Sequence, residues 1–173
     1  MSLGLTIFTI IHVIISLIGI FSGFVVLAGL LTARRFDGWT AIFLSSTVLT
    51  SVTGFFFPFH HFTPAHGVGI LSLLVLSITL YARYGQKLAG YWRWAYVVTA
   101  MLAFYLNVFV LVVQLFQKVP AFKAIAPTQT EPSFKLTQLT VLLAFAVLTI
   151  VAARRSRNLP LPTSILQRVL TSV

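Results

Sequence analysis

The chain has 173 residues, of which 58% are hydrophobic and only 8% are charged, and its formal net charge is +10. Soluble domains carry about 25% charged residues, so this composition excludes an ordinary soluble domain and favours a membrane protein. The basic residues stand in short clusters between apolar runs. Membrane topology explains that placement better than a nucleic-acid interface does, so no nucleic-acid partner is predicted. The absence of cysteine excludes thiolate chemistry and Cys-type metal sites.

Five apolar runs follow one another, each near or above the roughly 20 residues that cross a bilayer. Spans of this length in lipid must be helices, because only a helix satisfies all of its own backbone hydrogen bonds. The predicted fold class is therefore all-α, an integral membrane bundle of about five transmembrane helices. Residues 1–157 form this single domain, and residues 158–173 form a tail that is either a short interfacial helix or disordered. The five runs are Leu3–Leu31, Thr40–Phe59, Pro64–Ala82, Tyr91–Gln117 and Leu136–Ala153.

The placement of the positive charges predicts the orientation of the bundle. Nine basic residues fall in connections on one side of the five runs, and three fall on the other side. The richer side is predicted to be cytoplasmic, which puts the N-terminus outside and the C-terminus in the cytoplasm. The nine are Arg34, Arg35, Arg83, Lys87, Arg93, Arg154, Arg155, Arg157 and Arg168, and the three are Lys118, Lys123 and Lys135.

The first run carries a face of small and polar residues. His12, Ser16, Gly19 and Gly23 recur at helical spacing, and the two glycines form a small-xxx-small pair that lets another backbone approach closely. Two interpretations stay open at this point. The face serves helix packing, with His12 bonded to a neighbouring carbonyl, or it borders a bound ligand.

The second run is rich in hydroxyls. Ser46, Thr50, Thr53 and Phe57 share one helical face. Most of these hydroxyls are predicted to bond their own helix backbone, as is common in membrane helices. A kink is predicted at Pro58 if the helix continues through it.

Polar residues converge toward the outer side under the predicted orientation. Asn107 and Gln114 lie two turns apart on the fourth run, where each acts as a bond between helices or as a ligand contact. The turn between the second and third runs holds His60, His61 and His66. Together with His12 they predict a histidine-lined polar pocket in the outer leaflet.

The pocket favours a bound cofactor of the haem b or quinone type, with a role in electron transfer. Neutral imidazole ligates haem iron, and His, Asn and Gln side chains bond a quinone headgroup. The two glycines would leave room beside a flat ring. The predicted cofactor-binding residues are His12, His66, Asn107, Gln114, Gly19 and Gly23.

A transition-metal site at the outer surface is the further alternative. His60, His61, His66 and Glu131 are predicted as ligands for copper or zinc. Against this stands the simpler interpretation that the histidines are interfacial and that Glu131 is solvated.

Enzymatic and transport chemistry find little support. No catalytic residue is predicted, because paired carboxylates and nucleophile motifs are absent from the sequence. Hydrolysis by a His-bound metal is the one enzymatic alternative that stays open. The only two acids, Asp37 and Glu131, are predicted to lie in loops, which disfavours a proton-coupled carboxylate mechanism. The alternative function is a non-enzymatic accessory or assembly subunit, or a protein that binds lipids or small molecules for transport. The predicted partners are the lipid bilayer and either a membrane-protein partner or a second copy of the chain.

One passage carries a family resemblance. The stretch "LNVFVLVVQLFQKVP", followed by "APTQTEP", resembles small uncharacterised polytopic inner-membrane proteins of bacteria. The resemblance covers the second to fifth runs and brings no assigned chemistry with it. It implies a multi-pass protein of the bacterial inner membrane.

Overall fold

The computed structural model describes residues 3–58 and 64–156, and every regular element within them is helical. This agrees with the predicted all-α class. The predicted tail, 158–173, lies outside the described residues. The elements are α1 (Leu3–Leu31), α2 (Asp37–Gly54), α3 (Pro64–Leu80), a π turn (Tyr81–Gly85), α4 (Trp92–Lys118), α5 (Pro120–Ile125) and α6 (Pro132–Arg155).

Four helical segments in the described part are long and apolar enough to cross a membrane, which indicates a membrane protein. The remaining long helix, α2, has 18 residues and is rich in hydroxyls, and it is not one of the four. The count of five spans therefore stays a prediction. The four segments are Leu3–Leu31, Pro64–Gly85, Trp92–Lys118 and Pro132–Arg155.

The second helix differs most from its predicted bounds. It begins at Asp37 rather than Thr40, so Asp37 stands in the first helical turn and not in a loop. It ends at Gly54 rather than Phe59, and a turn follows in which the Phe56 amide donates to the Thr53 carbonyl. Because the helix does not continue to Pro58, no kink arises there.

The helices pack as antiparallel neighbours in chain order. α1 packs mainly against α2, α2 also packs against α3, and α3 packs against α4. α6 lies against α4 and α1. Arg155 at the end of α6 donates from Nη1 to the Leu31 carbonyl at the end of α1, at 2.5 Å. The last turns of α1 and α6 therefore meet at the same end of the bundle.

The two ends of the bundle differ in chemistry. One end holds the α1–α2 turn and the π turn, joined by contacts between Asp37 and Arg83. The opposite end holds the beginning of α1 and the end of α2. We call the first the basic end (Arg34, Arg35, Asp37, Arg83, Arg155) and the second the histidine end (His12, Thr53, Phe57, His66).

The middle of the bundle is filled by aromatic packing around Phe104, which is only 2% exposed. Its ring meets those of Phe24, Phe43 and Phe145 at centroid distances of 4.9, 6.0 and 5.1 Å. Gly23 of α1 lies against the same ring, and a Cβ there would stand 2.5 Å from Phe104 Cδ2. Glycine at this position lets the Phe104 side chain pack on α1, whereas the small-residue pair predicted a close approach of another backbone.

Candidate functional site: a polar groove at the histidine end

The polar faces predicted on the first two helices lie against each other. His12 Nδ1 is 2.8 Å from Thr53 Oγ1, and Ser16 Oγ is 3.3 Å from Thr50 Oγ1. The helical spacing on both helices brings these pairs to the same seam, one turn apart. The seam is therefore a short ladder of polar contacts that runs from the histidine end toward the middle of the bundle.

The hydrogen bonds of Thr53 identify the tautomer of His12. A threonine hydroxyl has one hydrogen to donate, and that of Thr53 is directed to the Leu49 carbonyl at 2.6 Å. With the hydroxyl hydrogen assigned to this shorter contact, the Thr53 oxygen accepts from His12 Nδ1–H, and we assign the neutral ring on that basis. The lone pair of the ring consequently lies on Nε2, which is the atom that can ligate a metal or accept a hydrogen bond.

Aromatic rings and a glycine surround this imidazole, which is half-buried. The ring of Phe57 stands edge-on to that of His12 at a centroid distance of 5.0 Å, and Phe8 packs on Phe57 at 4.9 Å. A Cβ at Gly54 would stand 4.0 Å from His12 Cε1, so the backbone of α2 passes close to the ring. We call the surface formed by His12, Phe8, Phe57 and Gly54 the groove; it combines apolar side chains with one polar ring, as small-molecule sites do.

Asn107 and Gly19 lie deeper in the seam and serve contacts between helices. Asn107 Nδ2 donates to Thr47 Oγ1 at 3.0 Å, which links α4 to α2. A Cβ at Gly19 would stand 3.1 Å from Ser46 Oγ and 3.6 Å from Asn107 Nδ2. The space beside Gly23, where the sequence suggested room for a flat ring, is occupied by Phe104.

Two of the other predicted site residues lie on α3 and α4. His66, in the first turn of α3, packs on Phe55 at a centroid distance of 5.9 Å. Gln114 lies exposed on α4. His60 and His61 lie outside the described residues. Within 3–58 and 64–156, no group of three or more His, Asp or Glu side chains is close enough to hold a metal ion.

Glu131 has local partners instead of metal-ligating neighbours. Its Oε1 accepts from the Thr128 amide at 3.1 Å and from the Thr128 hydroxyl at 2.8 Å. Partial removal from water acts to raise the pKa of Glu131, but hydrogen bonds from its own backbone and from Thr128 outweigh that effect and lower the pKa. The carboxylate thus braces the loop before α6.

Sequence reasoning missed the most strongly connected polar cluster, which lies at the basic end. Arg83 Nη2 stands 2.6 Å from Asp37 Oδ1, and Arg83 Nη1 stands 3.4 Å from the Tyr96 hydroxyl. Arg35 Nη2 also forms an ion pair with Asp37 Oδ1, at 3.3 Å. The signal that could have found it is topological. Antiparallel neighbours bring the start of α2 and the end of α3 together, so a lone acid and a basic residue at those positions can pair.

The chain has no match among protein-family models, curated proteins or solved structures.

Proposed function

We propose that this chain crosses a bacterial inner membrane five times, with its N-terminus outside and its C-terminus in the cytoplasm. The support for α2 as the fifth span is its course beside α1, from Phe36 near Gly29 at one end to Thr53 beside His12 at the other. Most of its hydroxyls bond carbonyls of their own helix, which lowers the cost of placing them in lipid. The basic residues at the end of α1, α3 and α6 supply the positive-inside bias.

Reporter fusions test this orientation directly. A reporter active only in the cytoplasm is inserted in the connection 86–91, in the connection 126–131, or after residue 173. We expect activity at the first and third positions and none at the second. A C-terminal reporter that is active only outside the cytoplasm would contradict the proposal.

We further propose that the groove at His12 binds a small cofactor that serves electron transfer. One observation supports this above the others. The bond to Thr53 holds Nδ1–H at 2.8 Å and leaves the Nε2 lone pair for a ligand. A fixed tautomer with one available nitrogen is the arrangement that ligand-binding histidines commonly have.

A quinone fits the groove better than a haem. Phe8 and Phe57 supply apolar rings beside the imidazole, and Nε2 would accept a hydrogen bond from a hydroxyl of the reduced ring. A haem would need a broad flat space, and Phe104 fills the one predicted beside Gly23. In the haem alternative, His12 and His66 would be the two axial ligands.

Binding of a soluble quinone analogue to the purified protein, followed by fluorescence quenching, tests the proposal. One hydrogen bond is worth about 0.5–1.5 kcal/mol, so we expect His12→Leu to weaken binding about three- to tenfold. His66→Leu is the matched control, because it removes the same side chain from the first turn of α3, where its ring packs on Phe55. Equal affinity of wild type and His12→Leu would contradict a quinone at this site.

The absorption spectrum of the purified protein separates the two cofactors. A Soret band that is lost in both His12→Leu and His66→Leu would support the haem alternative and exclude the quinone assignment. If neither a chromophore nor quinone binding is found, the accessory-subunit alternative gains support. For that role α6 offers a broad apolar face, since only Phe145 and Ala152 of the helix are buried.

A further inference from the structure

The basic end of the bundle contains a small polar cavity that the proposed cofactor groove does not use. It lies between the α1–α2 turn and the π turn, with a volume of about 20 Å³. That volume admits a single water-sized group. The polar side chains that line it are Arg34, Arg35, Asp37, Thr40, Arg83 and Tyr96.

Arg83 is one of the polar residues that line this cavity, and its side chain is only 8% exposed. Two of its three nitrogens have partners, because Nη2 bonds Asp37 and Nη1 bonds Tyr96. Its Nε is buried and has no hydrogen-bond partner in the described part of the chain. An unsatisfied donor on a buried charged group is costly and calls for a partner that the protein itself does not supply.

The backbone holds Arg83 in this place by an unusual turn. Arg83 lies in the π turn that extends α3, and such turns recur at functional sites. Three residues with positive φ lie at the cavity or next to it: Leu88 at 60°, Lys87, which precedes it, at 50°, and Ala33, which precedes Arg34, at 53°. Non-glycine residues in this conformation are uncommon and are kept where the surrounding structure requires them.

The charge around the cavity is unbalanced. Three arginines line it against one carboxylate, and Asp37 is shared between Arg35 and Arg83 while remaining 64% exposed. The side chain of Arg34 is exposed and makes no hydrogen bond or ion pair within the described residues. An excess of guanidinium groups around a buried N–H donor selects an oxyanion.

We propose that this cavity binds a phosphate group, either that of an anionic lipid headgroup or free phosphate. One phosphate oxygen enters the cavity and accepts from Arg83 Nε–H, and the remaining oxygens meet Arg34 and Arg35 at the mouth. Val26 and Leu30 of α1, which are 6% and 5% exposed, form an apolar wall of the same cavity. Basic pockets between membrane helices at the headgroup level are suited to such lipids.

The test uses the full chain purified in detergent, with lipid adducts counted by native mass spectrometry and stability followed by thermal melting. One arm adds phosphatidylglycerol, with phosphatidylcholine as the neutral lipid, and the other adds inorganic phosphate. A basic residue near a headgroup changes affinity about fivefold, so we expect Arg34→Ala to weaken phosphatidylglycerol binding by that factor. The matched control is Arg154→Ala, which removes an exposed charge from the same end away from the cavity.

The two arms identify the source of the phosphate. Stabilisation by phosphatidylglycerol alone, sensitive to Arg34→Ala but not to Arg154→Ala, assigns a lipid headgroup. The same Arg34-dependent stabilisation by inorganic phosphate assigns a free oxyanion. Arg83→Lys keeps the charge and removes Nε–H, and it is expected to weaken binding in whichever arm responds. Equal effects of Arg34→Ala and Arg154→Ala in both arms overturn the proposal, as does equal binding of the neutral lipid.

Discussion

The basic end and the histidine end hold their polar groups in different ways. At the basic end, Asp37 of α2, Arg83 of the π turn and Tyr96 of α4 bond one another across three elements. At the histidine end, the Thr53 hydroxyl donates to its own helix, and His12 contributes one bond across the helix pair. The first end is an interdependent network, whereas the second is a seam of individually satisfied groups. A group at the second end can therefore take a new partner without breaking the fold.

Removal of the carboxylate at the basic end should have the largest effect on stability. Asp37→Asn leaves the Arg83 guanidinium, 8% exposed, without its counter-charge. A buried charge that loses its partner costs several kcal/mol, but Asp37 itself is 64% exposed, so water compensates in part. We expect the free energy of unfolding to fall by about 2 kcal/mol, measured by denaturation in mixed micelles.

The control for this change is the other acid of the chain. Glu131→Gln removes a carboxylate that bonds only its own loop, and it should leave the unfolding transition nearly unchanged. If the two substitutions lower the free energy of unfolding equally, the Asp37 network contributes no more to stability than the Glu131 loop contact does.

The two ends also differ in how far the sequence predicts them. The apolar run Leu3–Leu31 gives α1 with the same bounds as the structure, because its length and hydropathy leave no other choice. The face shared by Ser46, Thr50 and Thr53 meets α1. Helical spacing groups these residues on one face, but it does not determine which helix that face meets. The sequence therefore predicted the polar faces at the histidine end but not their partners.

The basic end was not predictable in the same way. The sequence presents Arg83 as a topology signal and Asp37 as a loop residue, and their pairing depends on which helices become neighbours. The π turn that contains Arg83 has no clear sequence signature. α5 likewise lies in a connection for which the hydrophobic pattern predicted no helix. Contacts between distant segments, and not local propensity, decide these features.

The bond between His12 and Thr53 should have a moderate effect and tests the seam directly. A double-mutant cycle with His12→Leu and Thr53→Val should give a coupling energy of about 0.6 kcal/mol, the usual value for a polar bond between membrane helices. Unfolding in mixed micelles provides the four free energies. Ser45→Ala is the control, because this hydroxyl bonds the Ala41 carbonyl of its own helix and should show no coupling to His12. A coupling energy of zero for Thr53 would remove the basis for the assigned tautomer.

The smallest expected effect concerns Glu131 and depends on pH. Hydrogen bonds lower its pKa in the folded chain, so its stabilising contribution is present above the ordinary carboxyl pKa and is lost as the pH falls through the lowered value. We expect the protection factor of the Thr128 amide against hydrogen exchange to decrease over that acidic range while α1 and α4 stay protected. In Glu131→Gln the pH dependence should vanish, because no proton is taken up at this position. A decrease that persists in this variant would mean that another group controls the loop. The loss of protection at low pH would then be a general effect of acid on the chain and not a consequence of the hydrogen bonds that Glu131 makes.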